Sequence, residues 1–190
     1  MFLEDGKGSG KKAKVGSKND LHTFSRIIDE FIHDTNSGNA YVIGTAKLSL
    51  TAGTSSVFYF KNGESATMIT REIEIYSGNQ GAAADLEIKV IRNPTAGTVI
   101  SDATAMTVNQ NLNFGSSLTL SSSTTYQGAD GKTFTDGDTC YHALIQTEEA
   151  KGMKTENFLM QPGNAIGITL TTTTTLDVIV MVVLYQLDLD

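Results

Sequence analysis

From about residue 40 onward, segments recur in which apolar and polar residues alternate with a period of two, and this alternation limits the fold more than any other feature. "REIEIYSG" sets Ile73 and Ile75 against Glu72 and Glu74, and "ADLEIKVIRN" places Leu86, Ile88 and Val90 on one face. Successive side chains of a strand point to opposite faces, so these segments read as strands with one buried and one wet face. "AKLSLTA", "SVFYFKNGESATMI", "CYHALIQ", "NAIGITL" and "LDVIVMVVLYQL" read as strands too, the last covered on both faces. Asn62-Gly63 has the composition of a tight hairpin turn, and the threonines at 171–175 are expected to make a hairpin connection. About eight strands in one domain predict a mainly β protein, an antiparallel β-sandwich of jelly-roll type.

The first 39 residues follow no such pattern. Residues 1–18 carry Lys7, Lys11, Lys12, Lys14 and Lys18 among four glycines, with no apolar stripe, and are predicted to form an extended basic arm. In residues 19–39, Leu21, Phe24, Ile28 and Phe31 recur at helical spacing behind Asn19 or Asp20 as a cap. One short helix within 20–34, followed by a linker, is expected there. Residues 40–190 would form the sandwich. Removing the arm's five lysines and its Glu4 and Asp5 leaves nine basic against nineteen acidic side chains. So acidic a body argues against nucleic acid as the main partner, whereas the arm suits phosphate or an acidic protein surface if it is not a solvated tail.

Motifs that carry chemistry are scarce. The single cysteine, Cys140, excludes an internal disulfide, and the apolar run at 178–185 has the length of a strand rather than of a membrane span. Residues 93–95, Asn-Pro-Thr, carry the Pro that disables glycosylation, and no secretory apolar core stands at the start. Production in a reducing cytoplasm is therefore expected. His22, His33 and His142 are accompanied by no Gly-x-Ser-x-Gly, His-Glu-x-x-His, Walker or Gly-x-Gly-x-x-Gly pattern. Cys140 and His142 would neighbour each other on one strand face without a third group to orient them, so packing is the preferred reading. Asp130, Asp136 and Asp138 could offer hard oxygens to calcium, but their spacing is not that of an EF-hand and Asp-Gly pairs are turn formers. The absence of Trp weakens a sugar-binding platform. No catalytic, metal or cofactor-binding residue is assigned, and no enzymatic activity or cofactor is expected.

The stretches "AYVIGTAKLSLT…SSVFYFKNGES", "DLEIKVIRNPTAGTVISDATAMTVNQNLNFGSSLTL", "YQGADGKTFTDGD" and "QPGNAIGITL" together resemble a family of small tailed-phage virion proteins. The shared motifs are Asn-Pro-Thr-x-Gly-Thr-x-Ile at 93–100, Asn-x-Asn-Phe-Gly-Ser at 111–116 and Tyr-x-Gly-x-x-Gly at 126–131. The resemblance runs from about residue 40 to the C-terminus. It implies a non-enzymatic structural protein of the virion: a capsid decoration or accessory protein docked on the major capsid protein, with a tail or baseplate component as the alternative. A host-glycan-binding module is the competitor from another class. A homo-oligomer, for example a trimer at a symmetry axis, is expected, with no membrane partner.

The polar, charge-poor middle of the chain would then serve a wet interface. Asn93-Pro94 should end a strand, Gly97 and Gly115 should permit turns, and Phe114 should be either a core plug or an interface anchor. The residues expected to dock on a partner are Lys7, Lys11, Lys12, Lys14, Lys18, Phe24, Phe31, Asn111 and Phe114.

Overall fold

The computed structural model describes residues 2–4, 12–15, 21–22, 30–78, 85–106, 108–146 and 157–187. Its contacts fall into two units, Met1–Glu30 and Phe31–Asp190. In the first, β1 (Phe2–Glu4), β2 (Lys12–Val15) and β3 (Leu21–His22) form a small antiparallel sheet. Its register sets Phe2 and His22 on either side of Lys14. Of the predicted arm, the described residues 2–4 and 12–15 are extended and pair with each other, because backbone groups can satisfy each other without an apolar stripe.

The second unit begins within α1 (Glu30–Ser37), at Phe31. The helix sits later than the predicted 20–34: Leu21 belongs to β3, while Phe24 and Ile28 lie outside the described residues. Its end is set by Gly38, whose φ of +79° is a left-handed stop. The Gly38 and Asn39 amides close the last turn on Thr35 O at 3.1 Å and Asp34 O at 2.7 Å.

The strands that follow are β4 (Ala40–Gly44), β5 (Leu48–Leu50), β6 (Gly53–Lys61), β7 (Thr67–Gly78) and β8 (Asp85–Arg92). After them come the short helix α2 (Thr98–Ser101), then β9 (Thr104–Ala105), β10 (Val108–Asn111) and β11 (Thr124–Gln127). The last are β12 (Asp138–Gln146), β13 (Leu159–Met160), β14 (Ala165–Thr172) and β15 (Leu176–Leu187). They build two antiparallel sheets, one ordered β10-β4-β15-β7-β13 with β5 also on β15, the other β12-β8-β14-β6-β11-β9.

Leaving aside β5 and β9 to β11, the remaining strands pair from the outside inward: β4 with β15, β6 with β14, β7 with β13, and β8 with β12. Such nesting is one long hairpin wound so that successive pairs fall in alternate sheets. That is the jelly-roll topology, and the fold is a β-sandwich as predicted. The predicted faces are the buried ones. Ile73, Ile75, Leu86, Ile88 and Val90 pack with Phe58, Phe60, Ile168, Leu170, Val180, Val182 and Leu184 in one core. Each such side chain contributes roughly 1.5–3 kcal/mol on burial.

Winding also explains three departures from the sequence reading. β6 and β7 lie in opposite sheets, so Asn62-Gly63 links them across the sandwich rather than as a hairpin, and neither residue has a positive φ. The threonine run likewise breaks between β14 and β15 to cross sheets, with the Thr172 hydroxyl donating to Thr174 O at 2.9 Å. Finally, β15 is a central strand: Val178, Val180, Val182 and Leu184 are buried, while Ile179, Met181 and Val183 on its other face are only half-buried.

Candidate interaction surface

Residues 93–137 are an insertion between the paired strands β8 and β12, and they include the polar middle of the chain. This segment lengthens both sheets. Its β10 pairs with β4, Asn111 opposite Tyr41, and its β11 pairs with β6, Gln127 opposite Phe58. Unpaired strand edges invite aggregation, and the insertion covers two of them. A segment with one ladder behind it and water in front needs little apolar patterning.

The three motifs of the sequence turn out to brace this insertion. Asn93, at φ +50°, holds Ala165 from both sides: its amide donates to Ala165 O and its Oδ1 accepts from Ala165 N, each at 2.9 Å. Gly97, at φ +133°, passes so close to Thr133 that a Cβ would lie 2.2 Å from the carbonyl oxygen. Asn111 Nδ2 donates to Gly38 O at 2.6 Å and Leu118 O at 3.1 Å, while its Oδ1 accepts from Asn113 N at 2.8 Å. Asn113 repeats the device, accepting from Gly115 N at 3.0 Å and donating to Asn36 O at 2.9 Å. These side chains do the work of backbone turns.

On this braced loop Phe114 is 99 % exposed, which overturns the core-plug reading. Ile32 on α1 and Leu118 are also about half exposed, at 52 % and 49 %. Helix end and loop meet at Gly38, where a Cβ would lie 2.4 Å from Ser116 Oγ and 3.4 Å from Leu118 Cδ1. The result is a held apolar spot in a polar rim, the composition of an interface anchor. Asn113 and Leu118 were missed by sequence reasoning. The Asn-x-Asn repeat was the available signal for the brace.

The other expected docking residues divide. Asn111 spends its amide inside the chain. Phe31 is half-buried, edge-on to Tyr185 at 5.9 Å between ring centroids, with the Arg71 guanidinium 4.2 Å from its own ring centroid. It fastens α1 to the sandwich. Lys12 and Lys14 lie in β2, and Lys7, Lys11, Lys18 and Phe24 fall outside the described residues.

The titratable groups weighed for chemistry are engaged separately. Asp130 accepts from Thr51 N at 2.9 Å, Thr51 Oγ1 at 2.8 Å and Ser55 Oγ at 3.3 Å. Asp136 accepts from Thr95 N at 2.8 Å, Ala96 N at 2.9 Å and the Thr95 hydroxyl. Asp138 pairs with Arg92 at 2.9 Å. His142 Nε2 lies 2.7 Å from Glu87 Oε1, whereas Cys140 Sγ turns back to Val90 O at 3.4 Å. Desolvation of the thiol raises its pKa, the opposite of nucleophilic activation.

Bonds from Thr95, then Ala96, hold the Asp136 carboxyl below its ordinary pKa of 3.8. A depressed folded value means that the stabilisation is complete above the ordinary pKa and is lost as pH falls through the folded one. Thermal melts taken from about pH 5 down to about pH 2.5 should therefore show a smaller acid-induced drop for Asp136→Asn than for the wild type. Parallel profiles would remove Asp136 from the account of acid sensitivity.

Compared with known proteins, the chain matches no family model, no curated protein and no solved structure. What fold and surface define is a jelly-roll protein with a braced, aromatic-tipped insertion on one flank.

Proposed function

We propose that this chain is a non-enzymatic structural protein of a virion, a decoration or accessory protein that docks on the assembled major capsid protein. The observation that carries the docking is Phe114, almost fully exposed on a loop held by Asn111 and Asn113. A loop ordered before binding loses little conformational freedom on association, and a Phe entering an apolar socket adds roughly 2–3 kcal/mol of transfer free energy. The polar rim keeps the unbound chain soluble and supplies hydrogen bonds to a wet interface. The virion assignment rests on the resemblance of the 93–100, 111–116 and 126–131 motifs, and the jelly roll is an architecture that viral capsid domains use. Reinforcement follows from added buried area between capsomers.

Gradient-purified particles of the virus that encodes the chain should contain it, and cryo-EM should place it on the outer shell with Phe114 at the contact. Phe114→Asp should melt like the wild type, because its ring touches no core, yet fall to a small fraction of wild-type occupancy. Particles that lack the chain would refute the virion reading. Equal occupancy of Phe114→Asp would refute the anchor.

A further inference from the structure

We infer that β12 is a self-pairing edge, through which two copies of the chain join into one continuous antiparallel sheet. The two sheets end in β10, β13, β12 and β9. Three of these strands have four residues or fewer, but β12 has nine, and among the described residues no strand pairs with its outer side. Soluble proteins blunt such edges with short strands, Lys, Pro or bulges. In β12 the only bulge lies between Thr139 and Tyr141, and the regular ladder then runs from Tyr141 to Gln146 against Val90 to Asp85. That run contains no Lys, Arg, Pro or Gly. Leu144 is 66 % exposed on one face, while Tyr141, Ala143 and Ile145 on the other are only partly buried against the core.

Charge selects a second copy as the occupant. The chain carries a net −7, so two copies repel over most of their surfaces. Between Tyr141 and Ile145 the only titratable group besides the tyrosine is His142, already engaged by its own Glu87. A neutral strip is therefore the place where acidic copies approach at least cost. Two identical antiparallel strands related by a two-fold axis are self-complementary. With Ala143 opposite Ala143, Tyr141 meets Ile145 of the second copy, an aromatic–β-branched pair of the kind that stabilises sheets. His142 then faces Leu144. This surface is separate from the Phe114 loop, and neither proposal depends on the other.

Sedimentation of the full chain at micromolar concentration should show a dimer. Leu144→Lys, a change at an exposed position, should leave the melting temperature unaltered and convert the dimer to monomer. Ala143→Cys in a Cys140→Ser background places two thiols at the axis, where opposed Cα atoms about 4.5–5.5 Å apart suit a disulfide. Mild oxidation should cross-link most of the chain, whereas the native Cys140 pair, roughly 20 Å apart in this register, should stay reduced. A monomeric wild type would overturn the inference. So would a dimer in which Ala143→Cys fails to cross-link, whatever Leu144→Lys does.

Discussion

Gly128→Ala is expected to destabilise the second unit by about 3 kcal/mol or more, the scale of a severe steric insertion. A Cβ at Gly128 would lie 1.8 Å from Ser56 O and 2.8 Å from the Ser56 carbonyl carbon. Both are backbone atoms of β6, a strand hydrogen-bonded to β14 and β11 on its two sides, so neither can swing away as a side chain would. Relief requires the insertion to lift off, and lifting breaks the bond from Gly128 N to Val57 O at 2.8 Å. It also disturbs the neighbouring bond from Ser56 N to Lys132 O at 2.7 Å. Gly131, in the same motif, supplies the control. It has φ +71° with open space around its Cβ position, so Gly131→Ala should cost only the left-handed penalty of about 1–2 kcal/mol. Urea denaturation of the two variants separates close approach from backbone conformation. A Gly128→Ala curve within about 0.5 kcal/mol of the wild type would show that the insertion is not seated as described.

The frame was legible because its signal is local. Ile73, Ile75, Leu86, Ile88 and Val90 each announce their face by alternation with charged or polar neighbours, and the sandwich follows from enough such strands. Which strand pairs with which is not local information, and the misread turns depended on it. Asn62-Gly63 reads as a hairpin turn only if β6 and β7 share a sheet, and the winding places them apart. The apolar run of β15 read as a strand covered on both faces; β4, β5 and β7 flank it, but Ile179, Met181 and Val183 on one face are only half-buried. For the interaction surface, the Asn-rich motif drew attention to the right loop but not to its mechanism. Asn111 was expected to meet a partner and instead braces the loop that presents Phe114. Asn and Phe side by side carry no mark that one turns inward and the other outward. That choice is made by two carbonyls, Gly38 O at the end of α1 and Leu118 O further along the same loop.

Asn62→Ala should cost about 2–4 kcal/mol, more than any exposed polar substitution in the chain, because it leaves carbonyls without donors in a dry site. Asn62 is 0 % exposed. Its Nδ2 donates to Met160 O at 2.8 Å and Ala66 O at 2.9 Å, and its Oδ1 accepts from Glu64 N at 3.0 Å. The backbone of the same residue bonds Asn164 O at 2.9 Å and Gly163 N at 2.7 Å. One side chain thus ties the end of β6 to the crossing loop and to β13, which is only two residues long and is otherwise held by its ladder to β7 and by the buried Met160. Alanine keeps the backbone bonds and removes all three side-chain ones, so β13 should loosen first. Amide exchange at Leu159 and Met160 should accelerate more than exchange in β14. Asn62→Asp tests the donor separately. It retains the acceptor for Glu64 N but presents a carboxylate to two carbonyl oxygens in a desolvated site, which raises the folded pKa of the introduced acid above its unfolded value. The neutral form is then the one that fits, since its hydroxyl can donate to Met160 O or Ala66 O. Stability of Asn62→Asp relative to Asn62→Ala should consequently be greatest below the unfolded pKa and be lost as pH rises through the raised folded pKa, above which the difference levels off. Urea midpoints at about pH 4.5 and about pH 7 decide it. If the two variants keep the same difference at both pH values, Nδ2 is not the group that holds β13.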